Sequence, residues 1–274
     1  MPSNPSNPSN PSNPSNPSDP AGPDEPGDLF SLAGRTALIT GASRGLGRAM
    51  ALAFAEAGAD IVVTSRSLAA CEDVAAQVRE RGRRALAAPC HVGRWDQLPG
   101  LIETAWDHFG GLDVLVNNAG SAPLYDSLTA VSEPLFDSVL NLNLKGPFRL
   151  GVLAADKMRA RGRGSIINIS SLAAARPEPS ALPYAAAKAA LDAVTVGMAA
   201  AYGPDVRVNS IRPGSFATDV SRHWSPAAAA QYASRVALRR IAEPREIVGA
   251  ALYLASDASA FTTGAILSVD GGPL

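Results

Sequence analysis

Only two cysteines, Cys71 and Cys90, occur among the 274 residues. They are too few for a disulfide framework and too far apart in sequence for a metal-ligand cluster, so two reduced thiols in a cytosolic chain are expected. No apolar run reaches the roughly 18 residues that a membrane span requires, and the amino terminus carries neither a basic nor an apolar leader segment. Export and membrane attachment are therefore not expected. An excess of one charge is missing as well. Lys plus Arg number 24 against 25 Asp plus Glu, a formal charge of -1, so no global field draws the chain toward nucleic acid or an anionic membrane.

What is present divides in two. From Pro2 the triplet Pro-Ser-Asn repeats five times, drifts to Pro17-Ser18-Asp19 and stays rich in Pro, Gly and acid as far as Asp28. Such a stretch has little to bury against the entropy of ordering, so residues 1–28 read as a disordered arm. Its Asn-Pro-Ser triplets are not glycosylation acceptors, because proline holds the excluded middle position. Residues 29–274 read as one domain, and the chain's 46% apolar content is ordinary for a globular protein.

After Phe30, short β-branched runs alternate with Ala-rich stretches of helical length, the rhythm of parallel strands joined by helical crossovers. The expected strands are Thr36 to Thr40, Asp60 to Ser65, Arg84 to Pro89, Asp113 to Asn117, Ser165 to Ser170, Val206 to Ile211 and Ala265 to Val269. Runs such as Val114-Leu115-Val116 are continuously apolar, as suits a sheet covered on both faces. The fold class is α/β: a doubly wound, seven-stranded, mostly parallel sheet. Ligands then gather beyond the carboxyl ends of the strands.

Directly after the first strand stands Thr40-Gly41-Ala42-Ser43-Arg44-Gly45-Leu46-Gly47, followed by a helical run from Arg48 to Ala57. Glycines where a strand turns into a helix allow a pyrophosphate to approach the backbone, and the helix N-terminus favours its charge. Further on, Tyr184 and Lys188 lie four apart in a segment, Tyr184 to Tyr202, that reads as a helix, so both project from one face. An ammonium beside a phenol favours the phenolate and draws it toward working range as a base.

The loop spacing Gly-x-x-x-Gly-x-Gly resembles that of the short-chain dehydrogenase/reductase family, and four more segments fall in that family's order. They are Asn117-Asn118-Ala119-Gly120, Asn143-Leu144-Lys145-Gly146, Ser170-Ser171 followed by Tyr184 to Lys188, and Pro213-Gly214 followed by Thr218. The resemblance spans roughly Leu32 to Gly272, and resembles most the 3-oxoacyl carrier-protein reductases and gluconate 5-dehydrogenases. It implies a Rossmann-fold oxidoreductase that moves a hydride between a nicotinamide cofactor and a carbonyl or secondary alcohol. Tyr184 would be the proton-transferring group, Lys188 its partner, Ser171 the hydroxyl that holds the substrate oxygen, and Asn143 the residue that bends a helix and holds a relay water. Ser170 competes with Ser171, and spacing favours the latter. Gly41, Ser43, Arg44, Gly45, Leu46, Gly47, Asn118, Ala119, Gly120, Tyr184, Lys188, Pro213, Gly214 and Thr218 would contact cofactor.

The tip of the second strand sets the choice of nicotinamide. Ser65 stands where an NAD-binding member would place an acid, and Arg66 follows at once. With Arg44 in the loop, guanidinium groups are available to a 2′-phosphate, so NADP is preferred over NAD. In Cys90-His91-Val92 a histidine replaces the family's usual aspartate beside the adenine, and a neutral imidazole could still accept a hydrogen bond from the amine. Val92 is expected to pack on the adenine.

The substrate side is less defined. Ser215 to Arg240, with His223, Trp224 and Tyr232, matches the family's mobile lid, and Pro123, Leu124 and Tyr125 form a second wall. The stretches Leu135 to Met158 and Ala185 to Ala201 read as helices with apolar residues on most faces, which suits burial against other subunits of the family's usual homotetramer. A non-catalytic nucleotide sensor on the same fold is the alternative; its mark would be a broken Asn-Ser-Tyr-Lys set, and this one is intact. An enoyl reductase would separate its tyrosine and lysine by six residues instead of three.

Overall fold

A computed structural model describes residues 28–218 and 225–274. The strands are β1 Thr36–Thr40, β2 Asp60–Thr64, β3 Ala85–Ala87, β4 Val114–Asn117, β5 Gly164–Ile169, β6 Val206–Pro213 and β7 Ile266–Val269. The helices are α1 Gly45–Glu56, α2 Leu68–Glu80, α3 Leu98–Phe109, α4 Glu133–Leu140, α5 Gly146–Ala160, α6 Leu182–Tyr202, α7 Pro226–Ser234 and α8 Val248–Ala255. All seven expected strands form one sheet, ordered β3-β2-β1-β4-β5-β6-β7. Every pairing is parallel.

Residue alternation along each strand builds two cores. From β1, Ala37 and Ile39 point toward Met50 and Phe54 of α1 and Leu254 of α8, whereas Leu38 points toward Leu98 and Ile102 of α3 and Leu150 of α5. Each large apolar side chain among these contributes about 1.5–3 kcal/mol on burial, so both faces of the sheet are covered by filled apolar layers. At the amino ends of the strands, buried Asp60 and Asp113 are met by arginines: Arg84 and Arg83 on the first, Arg163 and Arg161 on the second.

The stretch Leu135 to Met158 is not one α-helix. Between α4 and α5, Asn141–Lys145 forms a π-helical turn. The Asn143 side-chain amide donates to Val139 O at 2.9 Å, an acceptor that a regular helix would reserve for the Asn143 backbone. Gly146 N–H instead reaches Asn141 O, five residues back. Among the described residues no helix is long and apolar enough to cross a membrane.

Strand order turns at β1, which pairs with β2 on one side and β4 on the other. That is the switch point, and the crevice at its carboxyl end is where a ligand is expected.

Candidate active site

The loop after β1 supplies one wall of this crevice. Gly41 and Gly45 adopt φ of +64° and +55°, conformations that a side chain would strain. Ala42 N–H donates to Thr64 O at 3.1 Å, tying the loop to β2. A Cβ on Gly47 would run into Gly41 O and come within 2.5 Å of Asn118 Nδ2, so helix, loop and the segment after β4 touch here without room for one more carbon. Asn118 donates through Nδ2 to Thr40 O at 2.9 Å and Gly41 O at 3.3 Å. The backbone N–H groups of Asn118 and Ala119 both donate to Thr40 Oγ1, at 2.9 and 3.0 Å.

Asn118 is thus a buttress of the loop, its amide turned to backbone oxygens. Thr40 is a residue that sequence reasoning left without a role, although its place at the strand tip marks it. The first turn of α1 carries no acid and its N-cap, Arg44, makes no capping hydrogen bond, unlike the serine-capped α2 and α4. Uncapped amides, two arginines and closely approaching glycines fit the phosphates of a dinucleotide. Beside them lies a cleft of about 410 Å³ lined by Arg44, Gly45, Arg48, Ala217, Thr218 and Pro244.

The residues expected to handle the proton come from three elements. Ser171 follows β5, Tyr184 and Lys188 lie one turn apart on α6, and Asn143 lies in the π turn. Burial pushes the Tyr184 phenol above its ordinary pKa, while a hydrogen-bonding interaction with the Ser171 side chain pulls it down. Ser170 is excluded from this meeting: it is buried, and its hydroxyl donates to Lys188 O at 3.2 Å. Lys188 is 2% exposed. Its Nζ donates to Ile169 O at 2.7 Å and lies 5.7 Å from the Tyr184 ring centroid.

Burial drives the Lys188 ammonium down to a pKa of about 8, against an opposing pull from the Asp192 carboxylate. Burial, rather than the neighbouring ammonium, sets the net direction of the Tyr184 shift. Loss of solvent outweighs the Ser171 hydrogen bond, so the net shift of the Tyr184 phenol is upward. Asn143 is fully buried, with Nδ2 donating also to Ser121 O at 2.9 Å and Oδ1 accepting from Ser121 N at 3.3 Å. A Cβ on Gly120 would fall 2.8 Å from Asn143 Oδ1 and 3.5 Å from Lys188 Nζ, so both side chains converge over the missing side chain of Gly120.

A family model described as enoyl-(acyl carrier protein) reductase matches residues 41–273. Gluconate 5-dehydrogenase of Gluconobacter oxydans is 34% identical over 253 residues, covering 89% of this chain and 96% of its own. The chain belongs to the short-chain dehydrogenase/reductase family. A 7α-hydroxysteroid dehydrogenase solved with NADH and 7-oxo glycochenodeoxycholic acid superposes with a TM-score of 0.86 at 33% identity, over 90% of this chain and 97% of that one. The 3-oxoacyl (acyl-carrier-protein) reductase of Agrobacterium tumefaciens, with NADP bound, gives 0.86 at 31% identity over 91% and 98%. As a short-chain dehydrogenase/reductase the protein is an NAD(P)-dependent oxidoreductase of alcohol and carbonyl groups.

The remaining expected positions of this short-chain dehydrogenase/reductase fall on both sides of the loop. Thr218 Cγ2 lies 3.5 Å from where Gly45 would carry a Cβ. Pro213 ends β6, and Gly214 donates its N–H to Val269 O at 3.0 Å. Ser43 and Leu46 are half-buried in the loop. At the tip of β2, Ser65 is turned inward: its Oγ donates to Ser67 O at 3.3 Å and lies 3.1 Å from Cys71 Sγ. Arg66 is exposed.

His91 and Val92 both make contacts within the protein. Gly93 N–H donates to His91 Nδ1 at 3.2 Å. Val92 is buried in the core with Leu98 and Leu150. Gln97, unnoticed in the sequence, accepts the His91 backbone N–H at 3.0 Å.

On the substrate side Tyr125 is tied down: its hydroxyl donates to Pro179 O at 2.6 Å and accepts from Leu182 N at 2.8 Å, at the first turn of α6. Leu124 is exposed. Tyr232 falls on α7. His223 and Trp224 lie outside the described residues.

Proposed function

We propose that the protein transfers a hydride between NADP(H) and a carbonyl or secondary-alcohol substrate, with Tyr184 exchanging the proton on the substrate oxygen. The observation that carries this reading is the side-chain interaction of Ser171 with Tyr184, whose ring centroid lies 5.7 Å from Nζ of buried Lys188. A bound nicotinamide supplies or accepts the hydride. Ser171 holds the substrate oxygen by hydrogen bonding. Tyr184, protonated at neutral pH, gives its proton to that oxygen in reduction and takes it back in oxidation. Lys188 places a positive charge under the phenol, which stabilises the phenolate left after transfer. Asn143, held by Ser121 and Val139, keeps the π turn against Gly120 and Lys188.

The preference for NADP rests on this chain's own residues, since the relatives' structures hold either nucleotide. Ser65 offers no carboxylate to repel a 2′-phosphate, and exposed Arg66 is at hand to pair with it. Among substrate classes, ketones, β-ketoacyl thioesters and sugar acids come first. The enoyl description of the family model is set against the three-residue separation of Tyr184 and Lys188, which supports carbonyl chemistry. Exposed Phe136, Phe148 and Val196 on α4, α5 and α6 support assembly into a homotetramer, and a cytoplasmic location belongs to the same reading.

The test is a screen of those substrates with both reduced nucleotides. Turnover of a ketone, with kcat/KM higher for NADPH than for NADH, is expected. An NADH preference overturns the cofactor choice, and turnover confined to enoyl thioesters overturns the reaction.

A further inference from the structure

The two halves of a dinucleotide lying across the switch point fall on opposite sides of β1. Tyr184, Lys188 and Gly120 lie on the β4 and β5 side, which leaves β2 and β3 for the purine half. The residues that follow β3 run beside the tip of β2, where Cys90 N–H donates to Ser65 O at 2.9 Å. His91 comes next and is half-buried, its backbone N–H held by Gln97 Oε1 at 3.0 Å.

The imidazole is held in one orientation. Gly93 N–H points at Nδ1 from 3.2 Å, and the ring lies so close over Gly93 that a Cβ there would sit 3.1 Å from His91 Cε1. A backbone N–H can point at Nδ1 only while that nitrogen is unprotonated. With Nδ1 accepting, the ring N–H lies on Nε2, so that edge of His91 is a hydrogen-bond donor. A carboxylate in this position would be an acceptor.

The two kinds of edge read purines oppositely. The C6 amine of adenine is a donor and suits a carboxylate; the C6 carbonyl of hypoxanthine is an acceptor and suits an N–H. Resting on the cofactor reading above, we propose that His91 makes the purine corner of the site a donor, so that the protein binds a hypoxanthine dinucleotide phosphate comparably to, or more tightly than, the adenine one. Against adenine, His91 serves a ring nitrogen, and the amine is left to solvent.

Calorimetric titration of the full chain with nicotinamide adenine and nicotinamide hypoxanthine dinucleotide phosphates tests this. For the native protein, hypoxanthine is expected to bind within about threefold of adenine or more tightly; a preference for adenine beyond that overturns the proposal. In His91→Asp the ratio of dissociation constants moves about tenfold toward adenine, the scale of one exchanged hydrogen bond. His91→Asn, able to donate and accept, falls between. An unchanged ratio in the folded variants overturns the proposal. Nitrogen-15 spectra of the native protein should show His91 protonated at Nε2, and a proton on Nδ1 overturns the proposal whether or not the variants fold. If neither nucleotide binds, the cofactor reading itself fails, an outcome separable from loss of purine choice alone.

Discussion

Thr40 and Asn118 hold each other twice: the threonine hydroxyl accepts the Asn118 backbone N–H at 2.9 Å, and the asparagine side-chain amide donates to Thr40 O at 2.9 Å. This reciprocal pair joins the ends of β1 and β4 and fixes the glycine loop before any phosphate arrives. Replacing Asn118 with Leu leaves Thr40 O and Gly41 O without that donor. Nucleotide affinity should fall about tenfold or more, and thermal stability should fall by about 1–3 kcal/mol. Titration and calorimetry read the two effects separately; unchanged affinity would mean the loop keeps its shape without the pair.

Tyr184→Phe keeps the ring and removes the proton. A loss of about two or more decades in kcat with nucleotide affinity retained is expected. Ser171→Ala should also lose rate, whereas Ser170→Ala, which unpairs a hydroxyl from Lys188 O, should act first on stability. Near-normal turnover of the phenylalanine variant would remove Tyr184 from the chemistry.

Lys188 couples stability to pH. Its folded pKa is about 8 against an ordinary 10.5, because burial disfavours the charge more than Asp192 supports it. Between those values the unfolded chain holds more protons than the native one, so the lysine's burial penalty is full below pH 8 and relaxes as pH rises. Relative to Lys188→Met, the native protein should gain stability from pH 8 to 10, while the variant loses turnover at every pH. Parallel denaturation curves across that range would contradict the assignment.

Asp60 carries the opposite sign at the opposite end of the sheet. Burial raises its pKa, but hydrogen bonds from the Arg84 side chain and backbone, and the charges of Arg83 and Arg84, outweigh that and hold it below the ordinary 3.8. Its contribution is present above that value and lost as pH falls through it. Asp60→Ala should cost about 2–3 kcal/mol at pH 7, toward the low end for a broken buried pair because Arg84 is exposed. The deficit should close in acid, and kcat should hold near the native value throughout. A kcat loss matching the stability loss would place Asp60 in the site's workings.

Periodicity and turn residues were enough, by themselves, to place the seven strands, the glycine loop and the helix carrying Tyr184 and Lys188, because those signals act between near neighbours in the chain. Local patterning could not show that Asn143 opens a π turn inside an otherwise helical run, since that depends on which carbonyl its amide reaches and on Ser121, 22 residues away. Nor could it show that the Ser170 hydroxyl is turned to Lys188 O, that Asn118 serves the loop, or that Gly93 N–H meets His91 Nδ1. Spacing shows an ammonium beside the phenol but not the burial that carries the net Tyr184 shift upward. An ammonium four residues away is visible in the chain, but the solvent lost by packing β5, β6 and the π turn around both groups exists only once they are assembled, and that loss is the larger effect.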